Sequence, residues 1–241
     1  MAPEIIDRAG HTTSRKNIAP EALKVLYRLN DAGYHAYLAG GSVRDLLLGR
    51  TPKDFDVATS AHPNQVRNLF RNCRLVGRRF RLAHVFFHNT IIEVSTFRAR
   101  LTAQEGDKGP HFKQQDGLFL RDNVFGTPEE DAWRRDFTVN ALFYSIADYS
   151  VIDYVGGLKD LDARLLRVIG DPAVRFVEDP VRMIRAIRFA CSLDLNIEES
   201  ARKAIVELRD KLALASRERL YDEFLKLAFC GQAEKVARAL L

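Results

Sequence analysis

The 241-residue chain is long enough for one large domain or two modest ones, and its 46% hydrophobic residues can build a packed core, which excludes a largely disordered protein. A net charge of +5 and a pI near 9.2 favour a polyanionic partner such as nucleic acid. Three cysteines stand far apart without a Cys-x-x-Cys pair, which argues against a disulfide framework and a zinc site.

The N-terminal end lacks the basic and then apolar stretch of a signal peptide. No apolar run approaches the roughly 18 residues that a membrane helix needs, so we expect a cytoplasmic protein with no membrane partner. Residues 1–17 are mostly polar and predict a flexible tail. Leu23 and Leu26, which follow Pro20 at helical spacing, predict a helix that ends near Gly33.

A glycine turn lies between a short apolar run and a short helical pattern. Residues 36–39 predict a strand, Gly40 and Gly41 a tight turn, and residues 42–48, which include Arg44, a short helix. Such a turn exposes backbone N–H groups at the N-terminus of the helix, and these groups can bind phosphate. The pattern therefore predicts a phosphate cradle.

Acids from two predicted strands are candidates for a metal site. Asp54 and Asp56 are two positions apart, so on a strand both carboxylates would point to the same side. An isolated Asp-x-Asp is usually a solvated edge, but here it follows the glycine turn closely. Glu93 is the acid of strand 91–97, which is predicted to form a hairpin with residues 83–87. It is either an outward-facing residue or a third carboxylate, and strand alternation leaves both open.

A basic cluster precedes this hairpin. Arg78, Arg79 and Arg81 surround Phe80 and follow a helix predicted over residues 64–71. Clusters of one sign often only solvate a surface. An aromatic residue among the arginines is typical of a surface that binds nucleotide or RNA.

Residues 99–117 lack periodicity and predict a long mobile loop. A helix with acids in its first turn is predicted from Pro128, and the pattern extends it through Arg135, Asp136 and Asn140 to Ile146. Asp136 and Asn140, four positions apart, would then share one helix face.

The remaining chain predicts a hairpin of residues 151–155 and 165–169, and after it only helices. Asp179 is the expected N-cap of the first of these helices, with Arg182 and Arg185 one turn apart on its polar face. Helices near 199–214 and 216–229 follow. The expected organisation is a flexible tail (1–17), an α/β domain with a small mixed sheet (18–170) and an all-helical neck (171–241).

These motifs in this order resemble the class II nucleotidyltransferases of the DNA polymerase beta superfamily, the group of tRNA CCA-adding enzymes and bacterial poly(A) polymerases. The resemblance starts at Ile18 and rests on Gly-Gly-x-x-Arg, Asp-x-Asp, Arg-Arg-Asp-x-x-x-Asn and Glu-Asp-x-x-Arg-x-x-Arg. The basic cluster is similar to the element that separates the poly(A) polymerase branch from the CCA-adding enzymes. Family members continue into helical domains that guide RNA, and the resemblance implies that these are absent after Leu241.

The resemblance also implies a role for each motif. The catalytic residues are Asp54, Asp56 and Asp136, of which Asp54 and Asp56, with Glu93 as an open third, hold two Mg²⁺ ions. The nucleotide-binding residues are Gly40, Gly41, Arg44, Arg135, Asn140, Asp179, Arg182 and Arg185. The RNA-binding residues are Arg78, Arg79 and Arg81.

The implied activity is template-independent transfer of AMP from ATP to RNA 3′ ends with release of pyrophosphate, by a cytoplasmic monomer. CCA addition to tRNA is the alternative within the family, because it would use the same metal site. An alternative of another class is a non-catalytic remnant that binds RNA or nucleotide. The intact Asp54 and Asp56 pair favours an enzyme over this remnant.

Overall fold

The computed structural model describes residues 2–77, 81–99, 112–115, 118–121 and 124–240. The chain divides into two compact units. The head unit comprises Met1–Arg134 and Asn140–Tyr154, and the helical unit comprises Arg135–Val139 and Val155–Leu241. The mixed α/β fold class that the sequence predicted is confirmed.

The head unit is built on one mixed sheet and the helices that pack on it. Its strands are β1 (Glu4–Ile6), β2 (Ala36–Ala39), β3 (Asp56–Thr59), β4 (Cys73–Val76), β5 (Leu82–Phe87), β6 (Thr90–Thr96), β7 (Phe112–Gln115), β8 (Leu118–Arg121), β9 (Leu142–Ser145) and β10 (Val151–Asp153). Its helices are α1 (Pro20–Asp31), α2 (Gly41–Leu47), α3 (Pro63–Leu69) and α4 (Pro128–Arg134), with 3₁₀ turns at Arg8–Gly10 and Arg15–Asn17.

The order of strands in the eight-stranded sheet is β1-β10-β9-β2-β3-β6-β5-β4. Only the β3 and β6 pair is parallel, and the other neighbours are antiparallel. The β5–β6 hairpin lies within one residue of its predicted position. The parallel pair in the middle of the sheet matters most for the site, because it places Asp56, the first residue of β3, beside Glu93 of β6.

Helix α1 forms because its apolar residues recur at helical spacing behind Pro20. Val25, Leu26 and Leu29 are fully buried, and the helix packs on β2, β3 and β6. Burying a Val or Leu side chain stabilises a fold by roughly 1.5–3 kcal/mol. These buried residues therefore hold α1 against the sheet.

The helical unit consists of helices with one small parallel strand pair. Its elements are α5 (Gly157–Asp162), β11 (Leu165–Leu166), α6 (Pro172–Glu178), α7 (Val181–Leu193), β12 (Asn196–Ile197), α8 (Glu199–Leu208), a 3₁₀ segment (Arg209–Leu214), α9 (Arg217–Ala228) and α10 (Ala233–Leu240). Helix α7 is central and packs on α6, α9 and α10. Ile187, Cys191, Leu227 and Val236 form one buried cluster between these helices.

Two segments that were predicted to be mobile contain strands. Residues 4–6 of the predicted tail form β1, which pairs with β10 because the open edge of that strand offers backbone partners. Phe112–Gln115, in the predicted loop, pairs with Leu118–Arg121 in a hairpin. The other residues of that loop from 100 to 117 lie outside the described part of the chain.

The helix predicted to reach Ile146 ends at Arg134 instead, and residues 142–145 of the predicted helix form strand β9. Phe137 forms an antiparallel bridge with Val168, and the flanking backbone N–H groups of Thr138 and Ile169 donate to carbonyl oxygens across this bridge. Tertiary β pairing has therefore replaced the helical hydrogen bonds that the local pattern favoured. Asp136 and Asn140 do not share a helix face.

The hairpin predicted from residues 151–155 and 165–169 is also wrong. Strand β10 pairs with β9 and β1, helix α5 follows it, and β11 pairs in parallel with β12. Gly156 adopts a left-handed conformation and is followed by Gly157, the first residue of α5, so this glycine pair starts a helix and not a turn between strands.

In the described residues, no helix combines the length and apolarity needed to cross a membrane.

Candidate active site

The glycine turn between β2 and α2 needs glycine at its first position. Gly40 has φ 73° and ψ −132°, a backbone conformation that residues with a Cβ atom avoid. Its N–H donates to the Leu142 carbonyl oxygen at 3.0 Å, so this group is used by the fold. A phosphate would have to use the first-turn N–H groups of α2 that follow, beginning with Gly41, because these lack partners inside the helix.

Arg44 and Asn140, two predicted nucleotide-binding residues far apart in sequence, are in contact. The Arg44 Nη1 donates to the Asn140 side-chain oxygen, and its Nε and Nη2 donate to Asp45 Oδ1 at 2.9 and 2.7 Å. The Arg44 side chain is only 7% exposed. A buried guanidinium held by two partners keeps a fixed orientation, and a planar fork of donors suits a phosphate.

The three candidate metal-binding acids lie at the parallel strand pair. Asp56 is the first residue of β3, and its register partner on β6 is Glu93. Register partners on neighbouring strands point to the same face, so Glu93 lies beside Asp56. Asp54 precedes β3 by two residues, so the prediction that it belongs to the strand is wrong, and alternation does not define its direction.

The chemistry of these acids fits a magnesium ion. Asp54, Asp56 and Glu93 are exposed, and carboxylate oxygens are the ligands that Mg²⁺ prefers. Among the described residues, no three His, Cys, Asp or Glu side chains form a metal cage by themselves. Mg²⁺ in nucleotide enzymes usually needs only one or two carboxylates, because phosphates and waters supply its other ligands.

The segment Arg135–Thr138 in the helical unit is held from several sides. The Arg135 carbonyl oxygen accepts from Arg175 Nη2 at 2.7 Å, and Phe137 packs edge to face on Phe189. The Thr138 hydroxyl donates to Asp160 Oδ2 at 2.7 Å, and both residues are buried. Asp136 therefore belongs to a segment of fixed backbone.

Asp136 makes an ion pair with Arg185, which was predicted to bind nucleotide. Asp136 Oδ2 accepts from Arg185 Nε and Nη2 at 2.8 and 2.6 Å, and Arg185 Nη1 donates to Glu223 Oε1 at 3.2 Å. Burial lowers the pKa of Arg185, but Asp136 and Glu223 together raise it by a larger amount, so the net shift of the pKa is upward. Arg185 thus stays charged and spans two carboxylates of the helical unit.

Glu223 anchors the same network from α9. Its buried carboxylate also accepts from Arg188 Nε at 3.0 Å and from Lys226 Nζ at 3.2 Å. Burial raises the pKa of Glu223, but Arg188, Arg185 and Lys226 lower it more, so the net shift is downward. The residue is therefore an ionised carboxylate that holds cations from two helices.

Asp179 and Arg182 lie where α6 gives way to α7. Asp179 is not the side-chain N-cap that the sequence predicted, because its Oδ2 accepts from Arg219 Nη2 at 2.7 Å and Pro180 holds the N-cap position. Its Oδ1 is buried without a hydrogen-bond partner in the described structure. Arg182 Nη1 donates to the Arg175 carbonyl oxygen at 2.9 Å and to Glu178 Oε2 at 3.2 Å.

The basic cluster is described only in part. Arg78 and Arg79 lie outside the described residues, and Arg81 is exposed. The structural contacts reveal two residues that the sequence patterns did not single out for the site, Arg175 and Asp160. The sequence did contain a signal for Arg175, because it stands three positions before Glu178, which is the spacing of an ion pair on one helix face.

A family model described as the poly A polymerase head domain matches residues 36–167. The chain belongs to this family. A second model, described as the probable RNA and SrmB-binding site of polymerase A, matches residues 194–241. The family resemblance that the motifs indicated is confirmed.

Both branches of the family are represented among similar proteins. Poly(A) polymerase I of Salmonella typhimurium is 56% identical, over 98% of this chain and 51% of the relative. The CCA-adding enzyme of Lactobacillus gasseri is 38% identical, over 95% of this chain and 55% of the relative. A crystal structure of the Bacillus stearothermophilus CCA-adding enzyme in complex with CTP is 35% identical with a TM-score of 0.78, over 92% of this chain and 52% of that one. The chain spans about half the length of the curated relatives it matches.

Proposed function

We propose that this chain carries the active centre of a polynucleotide adenylyltransferase, which adds AMP from ATP to RNA 3′ ends without a template and releases pyrophosphate. The observation that carries the proposal is the parallel register of β3 and β6, which puts Glu93 beside Asp56. Asp54 lies two residues before Asp56 in the sequence. Exposed carboxylates grouped on one sheet are expected at a site for metal-bound triphosphate.

In this proposal the acids bind the metal and the arginine binds the nucleotide. Asp54 and Asp56, with Glu93 as a neighbour, hold Mg²⁺. When bound, the two ions would lower the barrier by stabilising both the attacking and the leaving oxygen. Arg44, oriented by Asp45 and Asn140, donates to the triphosphate together with N–H groups of the α2 first turn.

The transfer of AMP then depends mainly on the alignment of ATP with the RNA 3′ end. The RNA 3′-hydroxyl attacks the α-phosphorus of ATP in line with the bond to the leaving pyrophosphate, and the new bond joins AMP to the RNA. Phosphoryl and nucleotidyl transfers depend on positioning and on charge stabilisation far more than on covalent chemistry by the protein. Fixed side chains such as Arg44 supply that positioning.

Recognition of adenine is assigned to Asp179 and Arg182. A buried acceptor without a partner, Asp179 Oδ1, is costly unless a ligand donates to it. In the described part of the chain, Arg182 makes hydrogen bonds only through Nη1, so its Nε and Nη2 can serve as donors. Adenine offers an amino donor beside a ring-nitrogen acceptor, which complements one acceptor and one donor.

RNA binding is supported by composition and by the second family model. That model covers residues 194–241 and carries RNA binding in its description, and the whole chain has a net charge of +5. Arg78, Arg79 and Arg81 are proposed to contact the RNA backbone. The cytoplasmic location and the monomeric state remain predictions.

CCA addition is a second candidate, because the similar crystal structure is that of a CCA-adding enzyme in complex with CTP. The higher identity to poly(A) polymerase I favours adenylyl transfer. The two activities differ in the product, since one repeats adenosine and the other adds two cytidines and one adenosine to tRNA. A non-catalytic remnant would bind nucleotide or RNA but release no pyrophosphate.

The deciding experiment incubates the full chain with Mg²⁺, labelled ATP or CTP, and either an unrelated RNA or a tRNA without its terminal CCA. We expect a growing adenosine homopolymer on the unrelated RNA and little incorporation of CTP. Ordered addition of C, C and A to the tRNA would move the assignment to CCA addition. Nucleotide binding without pyrophosphate release would support the remnant.

A further inference from the structure

Arg175 contacts Arg135, for which the family resemblance implies nucleotide binding, and the start of α7, which carries Arg182. Its Nη2 donates to the carbonyl oxygen of Arg135 at 2.7 Å, and its Nη1 donates to Glu178 Oε2 at 2.8 Å. Its own carbonyl oxygen accepts from Arg182 Nη1 at 2.9 Å. One residue of α6 therefore joins the Arg135–Thr138 segment to the start of α7.

The contacts around Glu178 form a closed arrangement. Glu178 Oε2 accepts from both Arg175 Nη1 and Arg182 Nη1, and Arg182 is tied a second time to the Arg175 backbone. Arg182 cannot rotate about its last bonds without breaking both contacts. Its Nε and Nη2 are thereby held in one direction, one turn after Asp179.

The environment of Arg175 is unusual for a residue with only a surface role. Its side chain is 16% exposed, against 66% for Arg202, which makes a similar ion pair with Glu199 on α8. Burial and the nearby Arg182 lower the pKa of Arg175, and Glu178 opposes this shift. Two cations close together are tolerated because one carboxylate lies between them.

We propose that Arg175 is a positioning residue that sets the base specificity of this chain by fixing Arg182 and Glu178 against the Arg135 backbone. The proposal rests on the proposed adenylyl transfer and adds a residue that does not itself touch the base. Adenine and cytosine both offer an amino donor beside a ring-nitrogen acceptor, but the smaller cytosine ring holds this pair at a different distance from the sugar. A fixed Arg182 therefore selects one base by the position of its edge, whereas a mobile Arg182 accepts both. Arg175 thus makes the recognition of adenine rigid.

The guanidinium is needed because its two terminal nitrogens point to different acceptors at once. Lysine keeps the charge but offers one compact donor group, so it cannot bridge the Arg135 carbonyl and Glu178 in the same geometry. Arg175→Lys therefore removes the bridge while it keeps a cation in the site. Arg175→Gln removes the charge as well.

The test measures kcat/KM for ATP and for CTP with the full chain, Mg²⁺ and a fixed RNA primer. Variants are Arg175→Lys and Arg175→Gln, and Arg202→Gln is the matched control, since it breaks an exposed Arg–Glu pair of the same spacing in the same unit. Equilibrium binding of ATP and CTP to each variant gives a readout that does not depend on turnover. Circular dichroism verifies that each variant is folded.

We expect the ATP to CTP ratio to fall at least about tenfold in both Arg175 variants and to stay unchanged in Arg202→Gln. An equal loss for both nucleotides, or a ratio within twofold of the unsubstituted chain, would overturn the positioning role. If Arg175→Gln does not fold, the ratio of Arg175→Lys decides. An unsubstituted chain that does not prefer ATP refutes the proposed function instead, before any variant is compared.

Discussion

Replacing Glu223 by glutamine should destabilise the helical unit without touching the sheet that carries the acids. The Glu223 side chain is 6% exposed and accepts hydrogen bonds from Arg185, Arg188 and Lys226. Glutamine preserves the shape and one acceptor oxygen but removes the charge. Its amide nitrogen would then face a guanidinium, which is also a donor.

The expected loss is about 3 kcal/mol of the free energy of unfolding. Removing one partner of a buried ion pair costs about 3–5 kcal/mol, because the other charge stays buried without compensation. The lower end of this range applies here, because Arg185 keeps its ion pair with Asp136 in the variant. Lys226 is 58% exposed, so its ammonium group can be solvated by water. Arg188, only 15% exposed, carries most of the penalty.

The loss should depend on pH in a defined direction. The pKa of Glu223 is lowered in the folded chain, because Arg188, Arg185 and Lys226 outweigh the effect of burial. A lowered pKa contributes stability above the unfolded-state value of about 4.3, and this stability disappears as the pH falls through the lower folded value. The difference between the unsubstituted chain and Glu223→Gln should thus be full at pH 7 and shrink below about pH 4.

Urea denaturation followed by circular dichroism at the helix band measures this difference, with extrapolation to water. Fluorescence of Trp133, the single tryptophan, reports the head unit separately. Asp222→Asn is the control, since it changes an exposed acid at the adjacent position and should stay within about 0.5 kcal/mol. A Glu223→Gln variant that also stays within this range, or a difference that grows as the pH falls, would refute the reasoning.

Three further predictions concern the site, the core and the RNA. Asp54→Asn and Asp56→Asn should each reduce nucleotide transfer on the order of a thousandfold while circular dichroism stays unchanged, and near-normal transfer in either would refute the metal assignment. Leu26→Ala, at a fully buried position of α1, should lower the free energy of unfolding by about 2–5 kcal/mol in urea titrations, and a loss below 1 kcal/mol would contradict the packing described. RNA affinity should fall steeply with salt, and neutralising Arg78 and Arg79 should flatten that slope, whereas a salt-insensitive affinity would support a merely solvated cluster.

The sequence by itself predicted the elements whose hydrogen bonds are local. Helix α1 follows from its apolar spacing and Pro20, strand β2 and helix α2 from a glycine turn, and the β5–β6 hairpin from two alternating runs. Ordered motifs were enough to indicate the family. In the two helices and the hairpin, residues within a few positions supply the hydrogen-bond partners, so the local pattern contains the information. Strand β2 is the exception, because it pairs with the distant strands β3 and β9 and was marked only by its apolar run before the glycine turn.

Tertiary structure decided the features that depend on distant backbone partners. Helix α4 ends at Arg134 because Phe137 forms a β-bridge with Val168, and no nearby sequence pattern predicts that partner. The face of Glu93, which alternation left open, follows from the register with Asp56 on β3. A one-residue slip would have turned Glu93 to the other face, and only the pairing of two strands sets this register.

The same holds for the long-range contacts of the site. Motif spacing marked Arg44, Asn140, Asp136 and Arg185 as separate candidates, but their pairing as Arg44 with Asn140 and Asp136 with Arg185 appears only in the fold. Side-chain length lets an arginine reach any of several acids, and the packing of helices and strands selects one. The sequence therefore determined which chemical groups are present, and the tertiary structure decided which of them meet, because hydrogen bonds and ion pairs act only over a few ångströms.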